Sequence, residues 1–166
     1  MQHRAALPTP FGLFTLTVDD AGLCGLDFPA GPPHASAQSL ETIEVHPLLA
    51  EAGRQLRAYL AGDLRDFDLP LSIRGTAFQQ QVWAQLQTIP YGATMTYGEL
   101  AGRIGGREKA RAVGGAAHAN PLAIIVPCHR LIGVGGRLTG FGGGLPMKQA
   151  LLDLEAHAME KLKKNA

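Results

Sequence analysis

The sequence predicts an α+β protein, α/β in overall content, with a small N-terminal β-sheet-plus-helix domain and a mostly helical C-terminal domain. Alternating apolar residues near the start of the chain are typical of strands. Later, two capping boxes precede apolar residues at helical spacing and predict successive helices. The helical signals begin directly after Arg74-Gly75, so we assign the domains to residues 1–74 and 75–166.

The N-terminal domain is predicted to begin with a β-hairpin. Apolar residues alternate over Phe11–Val18 and again over Leu23–Phe28, and Asp19–Gly22 supplies the turn between them. The next stretch, Ala30–Gln38, is rich in Pro, Ala and Ser, and its composition favours a surface loop.

A helix and a short strand are predicted to complete this domain. Pro47 is suited to the first turn of a helix, and Gly62 is suited to its end. The apolar face of this helix comprises Leu48, Leu49, Ala52, Leu56, Tyr59 and Leu60. A short strand is expected at Phe67–Leu71, before the domain boundary.

The C-terminal domain is predicted to open with a helix that starts at a capping box. Thr76 is followed three residues later by Gln79, and the helical pattern stops before Pro90. The apolar stripe of this helix comprises Phe78, Val82, Trp83 and Leu86.

Two further helices are predicted around a tight glycine turn. A second capping box, Thr96–Glu99, opens the helix Tyr97–Ile104, Gly105-Gly106 ends it, and another helix is expected from Arg107 to Ala119. Short helices joined in this way indicate a DNA-binding helix-turn-helix, although an αα-hairpin with no nucleic-acid role has the same pattern. The nearby cations that favour DNA are Arg103, Arg107, Lys109 and Arg111.

The remainder of the chain is predicted to hold a buried strand, a glycine-rich stretch and a last helix. The apolar run Leu122–Val126 predicts the strand, and glycines crowd residues 133–144. Pro146 can open the final helix, which carries Leu151, Leu152 and Glu155. The basic tail Lys161–Ala166 is expected to fray.

The composition excludes several protein classes. Of the 166 residues, 46% are hydrophobic and 17% are charged, and the net charge is +1, which excludes a largely disordered chain. No apolar run is long enough to cross a membrane, and the first residues lack the apolar core of a secretory signal. Two cysteines are too few for a disulfide scaffold, so we expect a cytoplasmic protein.

The charge is unevenly distributed along the chain. Residues 1–75 hold 5 Lys and Arg against 9 Asp and Glu, whereas residues 76–166 hold 10 against 5. A basic second half suggests a polyanionic partner, although a chance fluctuation of a few charges would give the same asymmetry.

Cys128 is the candidate nucleophile. A thiol is mostly protonated near pH 7, so it needs a neighbouring base. His129 is adjacent, but sequence neighbours on an extended chain point in opposite directions, so the pair requires a turn. Most free cysteines are simply buried apolar residues. Paired Cys and His ligands at zinc-binding spacing are absent, so we expect no metal and no cofactor.

Several separated blocks in the second half resemble one family, the methylated-DNA–protein-cysteine methyltransferases, which repair O6-alkylguanine. The match runs from Gly75 to about Glu155 and is fainter over residues 8–71. The matching blocks are Gly75–Trp83, Ile89–Gly92, Thr96–Ala101, Ala110–Gly115, Asn120-Pro121 and Ile125–Gly133.

The resemblance implies a catalytic group. Cys128 would accept the alkyl group, His129 would activate it through a bound water, and Glu155 would hold the histidine in the right tautomer. Asn120 would be the family's hinge asparagine, which ties the helix-turn-helix to the active-site strand. Taken alone, Glu155 is an ordinary helix carboxylate and Asn120 an ordinary turn residue.

The resemblance also implies a DNA-binding surface. Arg111 would fill the gap that a flipped base leaves in the stack, and Tyr97 and Thr96 would face the DNA backbone. Small residues such as Ala112 and Gly115 would let the second helix approach the minor groove closely. Close helix packing is the alternative explanation for the small residues, and packing against Trp83 is the alternative for Tyr97.

The guanine pocket implied by the resemblance comprises Tyr97, Leu131, Phe141 and Gly142. Phe141 and Gly142 depart from the tyrosine and serine that the resemblance leads us to expect. The missing hydroxyl groups bear on the range of substrates rather than on the reaction itself.

The expected activity is single-turnover transfer of an alkyl group from duplex DNA to the protein's own cysteine. The expected partner is double-stranded DNA carrying O6-alkylguanine, with O4-alkylthymine as a second candidate lesion. A monomer is expected, and cooperative binding on DNA stays open. The alternatives are a non-catalytic lesion binder, a Cys-His hydrolase and a sequence-specific helix-turn-helix regulator.

Overall fold

A computed structural model describes residues 1–29 and 40–166, so the predicted loop at Ala30–Gln38 lies outside the described residues. The described chain forms two compact units, Met1–Arg74 and Gly75–Ala166. It is a mixture of antiparallel sheet and helices, as the predicted α+β class requires. None of the helices in the described ranges is long and apolar enough to cross a membrane.

The first unit contains a three-stranded antiparallel sheet in the order β1-β2-β3. The strands are β1 (His3–Thr9), β2 (Gly12–Asp19) and β3 (Gly22–Asp27), so the predicted hairpin is confirmed. Strand β1 was not predicted. Its residues include two alanines and a proline, which have low strand propensity. Hydrogen bonding to β2 therefore stabilises this strand, rather than its own sequence.

Helix α1 (Pro47–Leu60) is confirmed, and it packs against this sheet. The ring nitrogen Nδ1 of His46 accepts a hydrogen bond from the backbone N–H of Leu48 at 3.2 Å, which caps the first turn. Leu49, Leu56 and Tyr59 are fully buried on the predicted apolar face.

The strand predicted at Phe67–Leu71 is wrong. The segment makes a single bridge to Leu23, where the Leu23 N–H donates to the carbonyl of Pro70 at 2.8 Å. The side-chain amide of Gln55 forms hydrogen bonds with both backbone groups of Asp68. It accepts from the Asp68 N–H at 2.9 Å and donates to the Asp68 carbonyl at 3.0 Å. A proline and a backbone already paired with a side chain cannot form a ladder.

The second unit begins with α2 (Ala77–Leu86), which opens at the predicted capping box. Val82, Trp83 and Leu86 are buried, whereas Phe78 is only half-buried. The indole N–H of Trp83 donates to the carbonyl of Ala116 at 2.8 Å, which joins α2 to a later helix.

The helix pair predicted around the glycine turn is present, with one correction. Helix α3 (Tyr97–Ile104) starts at its capping box, and Gly105-Gly106 turn the chain with positive φ. The predicted second helix, from Arg107 to Ala119, is instead a 3-10 turn (Arg107–Lys109) followed by α4 (Ala110–His118). A tighter first turn is common where a helix follows a sharp bend.

The buried strand predicted at Leu122–Val126 is wrong. This segment forms a turn in which the N–H of Val126 donates to the carbonyl of Leu122 at 2.8 Å. Ile124 lies within it at φ 76, which is rare for a β-branched residue. A short apolar run shows that a segment is buried without fixing its conformation.

Two short strands and a long helix complete the unit. Strands β4 (Met95–Thr96) and β5 (Leu131–Ile132) pair in parallel and are too short for any sequence pattern to reveal. Helix α5 (Leu145–Lys164) is confirmed, but the predicted fraying from Lys161 is wrong, because the helix continues to Lys164. Lysines in a last helical turn interact favourably with the helix dipole.

Candidate active site

Cys128 opens a single 3-10 turn, Cys128–Arg130, rather than ending a strand. The preceding Pro127 lies at φ −81 and ψ 66, and the Cys128 N–H donates to the carbonyl of Val126 at 2.8 Å. The chain therefore bends at the cysteine. This is the turn that a cooperating Cys128–His129 pair requires, and both side chains are buried within it.

His129 is held by Glu155 of α5. Its Nε2 lies 2.7 Å from Oε1 of the carboxylate, and both side chains are almost completely inaccessible to solvent. A carboxylate only accepts hydrogen bonds, so Nε2 carries the proton and Nδ1 of the neutral ring carries the lone pair. Burial lowers the pKa of His129, and this outweighs the opposite influence of Glu155. The ring is therefore a neutral base at pH 7.

Arg130 is a buried partner of Glu155 that the sequence analysis did not select. Its Nη2 donates to Oε1 at 2.8 Å and its Nε to Oε2 at 3.0 Å, while Nη1 donates to the carbonyl of Ile89 at 2.7 Å. The guanidinium also lies over the ring of Tyr91, 5.6 Å from the centroid. The N–H of Gly92 adds a hydrogen bond to Oε2 at 3.1 Å.

These contacts fix the charge of Glu155. Burial alone would raise its pKa, but hydrogen bonds from His129 and Arg130 and the charge of Arg130 bring the pKa down to about 2. The carboxylate is therefore ionised at neutral pH and forms a buried ion pair with Arg130. The neutral histidine therefore follows the cysteine directly in the chain, and its Nε2 is bonded to the carboxylate of this ion pair.

Lys148 is a second buried cation that the sequence analysis missed. Its ammonium donates to the carbonyl of Leu131 at 2.6 Å and to that of Thr139 at 3.0 Å, so it joins strand β5 to the middle of the glycine-rich segment. Burial lowers the pKa of Lys148. A signal was available, because Lys148 and Glu155 occur at the helical spacing of the buried Leu151 and so share its face.

The thiol of Cys128 is protonated at rest. Burial raises its pKa, and this exceeds the lowering by a hydrogen bond with Asn120 and by the charge of Lys148. The structure thus surrounds the thiol with two groups that favour the thiolate, while the thiol remains dependent on a base to lose its proton.

Asn120 connects the end of α4 to the turn before the cysteine. Its side-chain Nδ2 donates to the carbonyl of Val126 at 2.8 Å, and its Oδ1 accepts from the N–H of Leu122 at 2.9 Å. The same Val126 carbonyl accepts from the Cys128 N–H. One amide side chain therefore closes the turn and positions the backbone of the candidate nucleophile.

The candidate DNA-binding residues lie on α3 and α4. Thr96 caps α3, and its Oγ1 accepts from the Glu99 N–H at 3.1 Å. Arg111, Ala112 and Gly115 are exposed on α4. A Cβ added at Gly115 would meet nothing within 4 Å. Close packing therefore does not explain this glycine.

Two of the four candidate pocket residues, Tyr97 and Leu131, lie beside the carbonyl groups that Lys148 binds. The hydroxyl of Tyr97 donates to the carbonyl of Thr139 at 3.3 Å, and Leu131 is fully buried. Phe141 is half-buried and Gly142 is exposed further along the same segment. Throughout residues 1–29 and 40–166, no group of three or more His, Cys, Asp or Glu could hold a metal ion.

Replacing Glu155 with glutamine should lower the free energy of unfolding at pH 7 by about 3–5 kcal/mol, because the buried Arg130 loses its counter-charge. In the folded protein the pKa of Glu155 is about 2, below its value in the unfolded chain. The stabilisation is therefore complete above pH 4.5 and is lost as the pH falls toward 2. We expect a loss of about 3 kcal/mol over this interval in the parent protein but not in the variant.

Urea unfolding at a series of pH values measures both effects. Asp153→Asn removes an exposed carboxylate from the same helix and should change stability by less than about 0.5 kcal/mol. An equal response of the two variants would contradict the dominant role of the buried pair.

Family models match most of the chain in two adjoining parts. Residues 3–73 match the ribonuclease-like domain of 6-O-methylguanine DNA methyltransferase, and residues 77–157 match the DNA-binding domain of the same protein.

Individual relatives match along nearly the whole chain. The methylated-DNA–protein-cysteine methyltransferase of Mycobacterium tuberculosis is 61% identical over 160 residues, 93% of each chain. The protein of that name from Methanosarcina acetivorans is 46% identical over 153 residues, 92% of this chain and 97% of the relative.

Solved structures agree with these matches. The crystal structure of the M. tuberculosis O6-methylguanine methyltransferase superposes with a TM-score of 0.84, at 46% identity, covering 95% of this chain and 94% of the other. M. tuberculosis OGT in complex with DNA gives a TM-score of 0.83 at 45% identity, covering 94% of both chains. This chain therefore belongs to the methylated-DNA–protein-cysteine methyltransferase family.

Proposed function

We propose that this protein repairs DNA by transferring the alkyl group of O6-alkylguanine irreversibly to Cys128. The observation that carries the proposal is a buried cysteine on a tight turn whose next residue is a neutral histidine bound to an ionised carboxylate. Membership of the methyltransferase family and a domain matching the family's DNA-binding domain support the substrate class.

The reaction is a substitution at the alkyl carbon. Nδ1 of His129 takes the thiol proton of Cys128 through a water, and the resulting thiolate attacks the carbon bonded to O6. The S–C bond forms as the O6–C bond breaks, and the bonding electrons pass to guanine. The proton that His129 took from the thiol then passes to the released guanine anion, so neutral guanine and a cysteine thioether are the products.

The lesion has to leave the base stack before it can react. O6 lies inside a duplex, and the thiol of Cys128 is itself buried, with 8% of the residue exposed. We assign Arg111, exposed on α4, to the gap that the flipped nucleotide leaves, and Tyr97 and Thr96 to the adjoining backbone. The small exposed residues of α4 suit close approach to a minor groove.

One protein molecule repairs one lesion, because a thioether is not activated toward water as an acyl-enzyme is. This property separates the proposal from the hydrolase alternative, in which the cysteine would be regenerated. We further propose that the protein acts as a cytoplasmic monomer without a cofactor. O4-alkylthymine would be a second substrate. Titrating DNA with the protein would show whether binding is cooperative.

Cys128→Ser should abolish alkyl transfer and leave duplex affinity within about twofold, because a serine hydroxyl is much less acidic and DNA-binding residues lie elsewhere. Mass spectrometry after incubation with a duplex containing O6-methylguanine should detect one added methyl group on the Cys128 peptide of the parent protein.

Cys24→Ser is the matched control and should transfer normally, since Cys24 lies in the other unit. Methylation of Cys24, or regeneration of unmodified Cys128 with repeated turnover, would refute the proposed reaction.

Arg111→Ala should slow single-turnover transfer from a duplex by at least about tenfold, because the flipped base loses the side chain that replaces it. Transfer from the free base O6-benzylguanine, which needs no flipping, should change by less than about twofold. Equal slowing on both substrates would assign Arg111 a structural role instead.

Gly142→Ser should lower the ratio of benzyl to methyl transfer, because glycine leaves room beside larger adducts. A Cβ at this position meets nothing within 4 Å, so the substitution should leave the fold intact. Single-turnover rates on the two duplexes measure the ratio. An unchanged ratio would show that position 142 does not set adduct size.

A further inference from the structure

The segment from α3 to α4 carries four exposed cations, and the proposed function uses only one of them. The four are Arg103, Arg107, Lys109 and Arg111. Within the described part of the chain, none of them forms a salt bridge. The same segment carries two carboxylates, Glu99 and Glu108, so the four cations leave it with a net positive charge.

Arg107 differs from the others in being laid along a neighbouring helix. A Cβ built on Gly102 of α3 would lie 4.0 Å from Cγ of Arg107, and one built on Gly98 would lie 3.7 Å from Nη1. These are ordinary van der Waals distances. The side chain therefore extends from Gly102 to Gly98, about 6 Å along the helix axis, toward the first turn of α3.

This position brings the guanidinium beside the residues that the proposed function assigns to the DNA backbone. Thr96 and Tyr97 form the start of α3, immediately before Gly98. Glycine at positions 98 and 102 leaves the surface of α3 free for the arginine stem. A stem supported along its length loses less conformational freedom on binding than one extending into solvent.

Helix stability does not explain why a cation lies there. A positive charge near the first turn of a helix is opposed by the helix dipole. The acidic residue of this turn, Glu99, is already used in the capping box, where its Oε2 accepts from the Thr96 N–H at 2.9 Å. Arg107 has no salt bridge to Glu99 or to any other described carboxylate.

We propose that Arg107 binds a phosphate of the DNA backbone, in addition to the residues that the family resemblance assigns. This inference rests on the proposed function, because its ligand is the duplex that carries the lesion. A guanidinium presents parallel N–H donors that match two phosphate oxygens. Phosphate contacts carry no sequence information, which suits a protein that repairs lesions in any sequence. Arg107 thus acts on the backbone, and Arg111 acts on the base stack.

The test uses Arg107→Met, which keeps an unbranched apolar stem on Gly102 and removes the charge. Binding to an unmodified, fluorescently labelled duplex is measured by anisotropy over a range of KCl concentrations. We expect affinity at 0.1 M salt to fall about five- to tenfold, and the slope of log K against log salt to decrease in magnitude by about 0.9. Arg107→Lys should recover most of the affinity, because it retains the charge.

Arg65→Ala is the matched control, since Arg65 is an exposed arginine of the other unit and forms no salt bridge with any described residue. Its salt slope should equal that of the parent protein. The thermal midpoint of Arg107→Met and its transfer rate with free O6-benzylguanine should also be unchanged. A purely structural role would lower the midpoint instead.

An unchanged salt slope in Arg107→Met, or the same loss in Arg65→Ala, would overturn the inference. So would a lowered midpoint that accounts for the loss of affinity. Failure of the proposed function gives a different result, because the parent protein would then not alkylate Cys128. A parent protein that alkylates Cys128 beside an Arg107→Met variant with an unchanged slope would refute only the role of Arg107.

Discussion

The buried carboxylate of Glu155 is the interaction on which the second unit depends. It accepts hydrogen bonds from His129 and Arg130 of the cysteine turn and from the backbone of Gly92, so three separate segments meet at one charged group. Arg130 extends the network to the carbonyl of Ile89. Burying such a pair is costly unless its hydrogen bonds are satisfied, and here the network satisfies them. The same carboxylate that joins these segments also determines which nitrogen of His129 carries the proton.

The surroundings of Cys128 do not lower the pKa of its thiol overall. Burial raises the thiol pKa, while Asn120 and Lys148 act in the opposite direction without prevailing. A protein that is consumed by one reaction benefits from a thiol that stays protonated until substrate arrives, because a permanent thiolate would also react with other electrophiles. Lys148 also donates hydrogen bonds to the carbonyl groups of Leu131 and Thr139, so one side chain both lowers the thiol pKa and fixes the chain after the cysteine turn.

The sequence correctly predicted the elements that short local patterns determine. Capping boxes at Thr76 and Thr96 identified the starts of α2 and α3, because the two residues that form each box are only three positions apart. The strand expected at 122–126 failed because burial alone does not determine backbone conformation. Arg130 was missed because its partners, Glu155 and Ile89, lie 25 and 41 residues away, beyond any local pattern. Lys148 was missed although its helical spacing from the buried Leu151 marks it as part of a buried face. The roles proposed for Asn120 and Arg111 come from the family resemblance, because their own sequence context does not indicate them.

The contact between Trp83 and Ala116 also makes the protein its own spectroscopic probe. Trp83 is the only tryptophan of the chain, it is buried, and its indole N–H is bonded to the backbone of α4, the helix that carries Arg111. Indole emission depends on the polarity and hydrogen bonding of its surroundings. Any event that shifts α4 against α2 therefore changes the surroundings of the only tryptophan, so a movement of α4 can be followed by fluorescence in unlabelled protein.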